Sequence, residues 1–197
     1  KLLTAMFNLV LFGPPGAGKG TQAEKLIEKY GFNHISTGEV IREQIRKGTE
    51  LGRSVQSYIE KGQLAPDGLV IDIIADYVAK HKDAKGNIFD GFPRTTVQAK
   101  AFDEIMEKNG TPVSVMLSLE VPDEELVKRL LLRGKESGRA DDSNEGVIRD
   151  RIDVYKAQTA VVADHYKPQG KHRAVNGLGT IDEIFGRLCQ EIESLNK

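Results

Sequence analysis

Residues 13–21 read Gly13-Pro14-Pro15-Gly16-Ala17-Gly18-Lys19-Gly20-Thr21 and follow directly on the apolar run Phe7–Phe12. A short buried strand, a glycine-rich turn and a helix that begins at Lys19 form the usual setting of a phosphate-binding loop. Glycines let successive backbone N–H groups point at an anion, and the helix N-terminus adds its partial positive charge. Lys19 supplies a mobile charge for the outer phosphates. A plain glycine-rich turn is the alternative, but the order of glycines, prolines and lysine favours binding of a nucleoside triphosphate.

The residue after Lys19 departs from the usual form of this motif. Most such loops carry Ser or Thr there, and its hydroxyl ligates Mg²⁺. Here Gly20 takes that position, and Thr21 follows one residue later. We therefore expect another group of the protein, and not this loop, to hold the ion.

The composition restricts the function classes open to the chain. With 197 residues, of which 39% are hydrophobic, it can bury one compact core with room for small inserted segments. Its net charge of −1 gives no electrostatic reason to expect nucleic acid or a membrane surface as a partner. The single cysteine, Cys189, excludes an internal disulfide and a cysteine-ligated zinc site, and its apolar helical surroundings predict a buried thiol.

The sequence also carries expectations about where the protein works. It has no apolar run near the roughly 20 residues that a membrane-spanning helix needs. Met6 is a plausible true start, and residues 1–5 are then a remnant of cloning. The phosphate-binding loop follows so closely that we expect no cleaved signal peptide. We expect a cytoplasmic protein, and a monomer, because no long exposed apolar stripe indicates a dimer.

Strand-like and helical segments alternate along the chain. Runs typical of strands occupy Phe7–Phe12 and residues 34–35, 87–89, 113–119 and 173–175. Helical patterns lie between them, at residues 21–30, 67–82, 97–108 and 124–133. This alternation predicts an α/β fold, with a mostly parallel sheet and helices on both of its faces. Capping boxes predict further helix starts at Ser36, with Glu39, and at Thr180, with Glu183.

Two segments do not fit the alternation. Residues 36–65 predict two short helices with no strand between them, broken at Gly48 and Gly62. Residues 134–146 are polar, rich in glycine and free of core residues, which is typical of a solvated surface loop. Arginines within and around this loop indicate instead a mobile lid over an active site, namely Arg129, Arg133, Arg139, Arg149 and Arg151.

Asp90 and Arg94 follow the predicted strand at residues 87–89. Ligands of parallel sheets bind beyond the carboxyl ends of the strands, so both side chains should face the same crevice as the phosphate-binding loop. An aspartate there suits Mg²⁺, held through water because this ion dehydrates reluctantly. Gly91 would let the backbone approach a substrate closely. The alternative is an N-cap aspartate before a proline turn, which is a common arrangement.

Six arginines in a chain without net positive charge indicate phosphoryl transfer, and they are Arg42, Arg94, Arg129, Arg133, Arg139 and Arg151. This reaction leaves the protein mainly the tasks of positioning and of neutralising charge, which a forked guanidinium does well. Arg129 and Arg133 are four residues apart and share a helix face, although either one alone would be interpreted as solvated. The four histidines show no metal-binding spacing, and no serine–histidine–aspartate or cysteine–histidine set indicates a nucleophilic centre.

Together these motifs resemble the adenylate kinase family, over nearly all residues from Met6 to the C-terminus. In that family, glycine after the lysine of the phosphate-binding loop is the norm. Three further motifs carry the resemblance: Ser36-Thr37-Gly38 with Arg42, Asp90-Gly91-Phe92-Pro93-Arg94-Thr95 with Gln98, and Gly138-Arg139-Ala140-Asp141-Asp142. The resemblance implies a P-loop fold of three α/β/α layers with a five-stranded parallel sheet. It also implies the reversible reaction of ATP and AMP to two ADP, with Mg²⁺ on the triphosphate.

The resemblance assigns residues to each substrate. It implies that ATP contacts Gly16, Ala17, Gly18, Lys19, Gly20, Thr21, Arg129 and Arg133, with Arg129 stacked on the base. It implies that AMP contacts Thr37, Arg42, Gln63, Leu64, Ala65, Gly91, Arg94, Gln98, Arg139 and Arg151. The implied catalytic set is Lys19, Arg42, Asp90, Arg94, Arg133, Arg139 and Arg151. In it Asp90 orients the waters of Mg²⁺, and no side chain ligates the metal directly.

The resemblance also divides the chain. It implies a core of residues 1–35, 66–133 and 147–197, an AMP-binding segment of residues 36–65 and a lid of residues 134–146. A lid of this length is similar to the family's short form, which lacks the cysteine-bound zinc of the long form. Asp141 and Asp142 resemble lid carboxylates that pair with arginine on closure. Arg151 fits the expected helical phase better than Arg149.

Three alternatives remain at this point. A UMP/CMP kinase shares the fold and most of the arginines, but related pyrimidine enzymes tend to have Ala in place of Thr37 and Asn in place of Thr95, so both residues favour AMP. A nucleotide-triggered switch would need an Asn-Lys-x-Asp motif and a residue that positions water, and neither is found in the sequence. A non-catalytic nucleotide sensor of the same fold would not need to retain the arginines.

Overall fold

The computed structural model describes residues 6–195, so the expectation about residues 1–5 lies outside the described range. One sheet of five parallel strands forms the centre of the molecule, in the order β2-β3-β1-β4-β5. Its strands are β1 (Phe7–Phe12), β2 (Asn33–Ser36), β3 (Gly86–Asp90), β4 (Val115–Glu120) and β5 (His172–Asn176).

Helices connect the strands. They are α1 (Lys19–Tyr30), α2 (Thr37–Arg46), α3 (Glu50–Glu60), α4 (Asp67–Lys80), α5 (Thr96–Lys108), α6 (Asp123–Ser137), α7 (Glu145–Val154), α8 (Ala163–Tyr166) and α9 (Ile181–Ser194). A 3-10 turn at Ala140–Asp142 joins α6 to α7, and a π-helical turn at Tyr155–Thr159 continues α7. None of the helices within residues 6–195 is long and apolar enough to cross a bilayer.

The central strand β1 shows how the sheet is covered on both faces. Because side chains alternate along a strand, Leu9 and Leu11 pack into one apolar cluster, whereas Val10 and Phe12 pack into another. The first cluster draws its other side chains mainly from α1, α6, α7 and α9, and the second from α2 to α5 and α8. A strand buried on both faces has a nearly continuous apolar sequence, as β1 does with Asn8 as its one polar residue. The predicted three-layer fold with a five-stranded parallel sheet is confirmed.

Strand register determines where a ligand can bind. β1 lies between β3 and β4, with Leu11 opposite Asp90 and Phe12 opposite Ser118. The carboxyl ends of β1 and β3 therefore meet at the same edge of the sheet. As a result, the loop that follows β1 lies beside the end of β3.

The predicted strands, and three of the four predicted helices, agree with the structure to within two residues at each end. Residues 36–65 contain α2 and α3 with no strand between them, as the glycines at 48 and 62 predict. Cys189 is buried on α9, which confirms the prediction of a core thiol.

The structure differs from the sequence prediction at the end of α6, which does not end at Arg133 but continues to Ser137. In the polar segment after it, Asp141 and Asp142 are buried, which argues against the alternative of a plain solvated loop. The segment is buried because its backbone lies close against α6: a Cβ at Gly134 would lie only 2.3 Å from the Asp142 carbonyl oxygen. Glycine thus allows the 3-10 turn to pack directly on α6.

The capping box predicted at Ser36 is only half formed. Ser36 Oγ accepts a hydrogen bond from the Glu39 N–H at 3.3 Å, but the Glu39 carboxylate pairs with Arg42 and Arg139 and does not return to the Ser36 backbone. At the start of α9 the box is complete, because Thr180 and Glu183 each accept from the other's backbone N–H. The box at Ser36 is incomplete because the Glu39 carboxylate is engaged by two arginines.

Candidate active site

A cavity of about 740 Å³ opens at the carboxyl ends of β1 and β3. Every residue that the sequence assigned to ATP, to AMP or to the catalytic set lines this cavity. The set comes from the loop after β1 and the start of α1, from α2, from the connection between α3 and α4, from the end of β3 and the loop after it, and from α5, α6, the residue before the 3-10 turn, and α7. The fold thus brings together residues that are up to 135 positions apart, counted from Gly16 to Arg151.

The loop after β1 has the backbone of an anion site. Gly16 and Gly18 have φ angles of +82° and +93°, in the left-handed region that favours glycine. At Gly16 a side chain would also collide with α6, since a Cβ there would lie 2.8 Å from Leu130 Cγ. Helix α1 begins directly after Gly18 and has no acidic residue in its first turn. Its partial positive charge is therefore available to a phosphate.

Lys19 is folded back onto this loop. Its Nζ donates hydrogen bonds to the carbonyl oxygens of Gly13, at 2.8 Å, and Pro14, at 3.0 Å. Burial lowers the pKa of Lys19 to about 7, and the charges of Arg94 and other arginines act in the same direction, against the attraction of Asp90. An anion that enters the cavity would raise this pKa and favour the charged form of the amine.

Asp90 ends β3 inside the cavity and is 6% exposed. Burial alone would raise its pKa, but the hydrogen bond to His34, at 3.3 Å between Nε2 and Oδ2, and the charge of Lys19 hold the pKa below its ordinary value. Within residues 6–195 no group of three or more histidine, cysteine, aspartate or glutamate side chains could hold a metal ion. The donor set of one ionised carboxylate beside a phosphate-binding loop fits Mg²⁺ that takes its remaining ligands from water and phosphate.

Arg42 and Arg94 form one wall of the cavity. Arg94 Nε donates to the Gly91 carbonyl oxygen at 2.7 Å, and burial together with the charge of Arg151 lowers the pKa of Arg94 to about 10. Arg42 Nε is buried and has no hydrogen-bond partner within residues 6–195. Buried donors are nearly always paired in proteins, so an unpaired guanidinium nitrogen in a cavity favours an anionic ligand.

Arg133 and Arg151 are held by one buried carboxylate. Asp142 accepts from Arg133 Nε and from Arg151 Nη1, both at 2.5 Å. Burial would raise the pKa of Asp142, but the hydrogen bond and charge of Arg133, together with Arg151, lower it. Arg149 points elsewhere and pairs on the surface with Glu124 and Glu145. Arg151 therefore lines the cavity, whereas Arg149 does not.

Arg139 joins the short segment after α6 to α2. Its guanidinium pairs with Glu39, which also accepts from Arg42 Nη2 at 2.6 Å. Burial, and then the charges of Arg42 and Arg133, lower the pKa of Arg139. One carboxylate thus balances two cavity arginines, one on α2 and one after α6.

Two further places in the cavity offer hydrogen bonds of defined direction. Arg129 donates to Glu125 Oε1 and to the Gly177 carbonyl oxygen, both at 3.0 Å, near the start of α9. Thr37, which is 2% exposed, donates from Oγ1 to the Gly91 carbonyl oxygen at 2.9 Å, and Gln98 lies buried close by on α5. Residues 63–65, between α3 and α4, line the same cavity.

A family model of adenylate kinases matches residues 11–171 of this chain. The chain belongs to the adenylate kinase family. An adenylate kinase of Bacteroides thetaiotaomicron is 54% identical over 190 residues, which cover 96% of this chain and 100% of the relative. One of Parabacteroides distasonis is 55% identical with the same coverage, and one of Porphyromonas gingivalis is 46% identical over 98% of each chain.

Three residues that contact this adenylate kinase site were not predicted from the sequence. His34 was considered only as a metal ligand, Glu39 only as part of a cap, and Asp67 not at all. Glu39 could have been found, since it lies three residues before Arg42 on one helix. The contact of Asp67 with Gln98 joins residues 31 positions apart, and no local pattern announces it.

Proposed function

We propose that this chain transfers the terminal phosphoryl group of ATP to AMP, reversibly, to give two ADP. The observation that supports this most is the convergence of the phosphate-binding loop, Asp90 and six arginines in one cavity of an adenylate kinase family member. The acceptor in this reaction is already an anionic phosphate, so no nucleophile or general base is needed. What remains is to align two anions and to neutralise their charge.

On the ATP side, the backbone N–H groups from Gly16 to Thr21 and the N-terminus of α1 wrap the outer phosphates. Lys19 leaves its loop carbonyls and binds them as an ammonium ion. Arg129 lies at the base end of this site. Its fixed bonds to Glu125 and Gly177 hold the guanidinium ready for stacking on the adenine.

On the AMP side, Arg42 and Arg94 bind the phosphate. Arg42 brings an unpaired buried nitrogen, and the hydrogen bond of Arg94 to Gly91 fixes the direction of its guanidinium. The base lies against Thr37, residues 63–65 and Gln98. Arg133, Arg139 and Arg151 approach the transferring group from the α6–α7 side, where their forked donors match the equatorial oxygens.

Asp90 is the residue that would hold Mg²⁺, through its waters. When bound, this ion neutralises charge on the phosphate oxygens of ATP. Asp90 stays ionised for that role because His34 and Lys19 keep its pKa low. Its position at the end of β3 places it directly beside the phosphate-binding loop.

We also propose that residues 36–65 and 134–146 move as an AMP-binding segment and a lid around a core of residues 1–35, 66–133 and 147–197. Closure would exclude water, which otherwise competes with AMP for the phosphoryl group. The contact between Arg139 and Glu39 supports this, because it joins the two moving parts. We propose that the protein acts as a monomer in the cytoplasm.

A coupled assay tests the proposed function. Purified protein with ATP and Mg²⁺ is offered AMP, UMP or CMP in turn, and formation of ADP is followed. We expect rapid ADP formation with AMP and much slower turnover of the pyrimidine nucleotides. Failure to form ADP from AMP would rule out the proposal, and preference for UMP or CMP would favour the pyrimidine kinase alternative.

A further inference from the structure

Asp67 lies behind the base end of the AMP site. It is the first residue of α4 and does not line the cavity. Its Oδ1 accepts two hydrogen bonds, from Gln98 Nε2 at 2.9 Å and from Thr95 Oγ1 at 2.8 Å. Any effect of Asp67 on a bound nucleotide is therefore transmitted through Gln98 or Thr95.

Gln98 is fixed at both ends of its amide. Its side chain lines the cavity, is 1% exposed, and donates from Nε2 to Asp67, while its Oε1 accepts from the Arg94 backbone N–H at 2.8 Å. A carboxylate can only accept and a backbone N–H can only donate. Turning the amide by half a turn would place two acceptors against each other at Asp67 and two donors against each other at Arg94. The orientation of Gln98 is therefore determined.

The fixed amide retains one unused hydrogen on Nε2 and one unused lone pair on Oε1. Adenine carries an amino group at position 6, which donates, beside the ring nitrogen N1, which accepts. This pair matches the unused groups of Gln98 in the orientation that Asp67 imposes. Hypoxanthine carries an oxygen at position 6 and a hydrogen on N1, so it needs the amide turned over.

We propose that Asp67 is a positioning residue that locks the Gln98 amide, so that the site accepts a 6-amino purine monophosphate and rejects its 6-oxo counterpart. The inference rests on the proposed function, in which Gln98 faces the base of AMP. Without Asp67, the amide could turn to match either base, because only the Arg94 N–H would then oppose its rotation. Asp67 thus supplies selectivity from outside the cavity.

The experiment measures kcat/KM for AMP and for inosine 5′-monophosphate, at saturating ATP, in the wild type and in Asp67→Ala. We expect the ratio of the two values to fall by about tenfold or more in the variant, the size expected when a buried hydrogen bond no longer discriminates. Asp72→Ala is the matched control, since Asp72 is exposed on the same helix. It should keep the wild-type ratio.

Asp67→Asn provides a second variant of almost unchanged shape. Its amide can accept from Gln98 or donate to it, so the ratio should move in the same direction by a smaller factor, even where Asp67→Ala fails to fold. An unchanged ratio, or a parallel loss of both activities, would overturn the lock and leave the proposed function intact. A wild type that forms no ADP from AMP would instead overturn the proposed function itself.

Discussion

Lys19 is a buried amine placed where a polyanion is expected to bind. Its pKa of about 7 in the free protein means that part of this charge is lost near neutral pH. Phosphates raise the pKa of a neighbouring ammonium, so ATP binding takes up protons above pH 7. Affinity for ATP is therefore highest below pH 7 and falls as pH rises through the range between the pKa values of free and ATP-bound Lys19.

Calorimetry at pH 8 in buffers of different ionisation enthalpy tests this prediction. The apparent binding enthalpy of wild type should vary with the buffer and correspond to uptake of up to about one proton. In Lys19→Arg the guanidinium is always charged, so this uptake should disappear. Buffer-independent heats for the wild type would contradict the lowered pKa.

Thr37 is expected to act on the base of the acceptor. Its hydroxyl hydrogen is committed to Gly91, which leaves the oxygen free to accept from an amino group in the cavity. Thr37→Ala should therefore relax the preference for AMP over UMP, whose base has no amino group, by an amount on the order of 1–3 kcal/mol in relative kcat/KM. Thr37→Ser keeps the hydroxyl and serves as the control. Unchanged selectivity in Thr37→Ala would remove this residue from that role.

At the scale of elements, the packing of the 3-10 turn on α6 depends on Gly134. A Cβ there would lie 2.3 Å from the Asp142 carbonyl oxygen, and backbone of this kind cannot move aside cheaply. Gly134→Ala should displace the turn, loosen Asp142 from Arg133 and Arg151, and destabilise the fold by about 1–3 kcal/mol. Melting temperature and turnover should both fall.

Gly186→Ala is the matched control for this prediction. Gly186 lies inside α9, and a Cβ there would meet no atom within 4 Å. The variant should gain up to about 1 kcal/mol from helix propensity and keep wild-type turnover. If Gly134→Ala behaved like Gly186→Ala, the close contact between α6 and the turn would not matter for the site.

Some features of the fold and the site could be predicted from the sequence, and others could not. β1 and its loop were predictable because an apolar run and the motif after it are local patterns that decide local structure. The end of α6 was not, since it depends on a turn that packs back on Gly134 and on charge pairing with Arg151, nine residues beyond Asp142. In the same way, the predicted residues that line the cavity belong to sequence motifs, whereas Asp67 contacts them from outside the cavity and belongs to none.

At the scale of the whole molecule, Arg139 is the residue that joins the segment after α6 to α2. It pairs with Glu39, 100 positions away, and Glu39 in turn holds Arg42. In this position Arg139 could assist closure alone, or it could also neutralise charge on the transferring phosphoryl group. The two roles differ in kinetics, because loss of a contact made only in the transition state lowers kcat, whereas loss of a uniform binding contact raises KM.

We expect Arg139→Ala to lower kcat by about 10³-fold, the scale of one arginine acting on a transferring phosphoryl group. Arg149→Ala is the control, since Arg149 pairs on the surface with Glu124 and Glu145 and does not line the cavity. Steady-state kinetics with ATP and AMP separate the two parameters, and the control should match wild type. A loss confined to the affinity for nucleotides would show that Arg139 binds and closes but takes no part in transfer, because stabilisation of the transferring group cannot leave kcat unchanged.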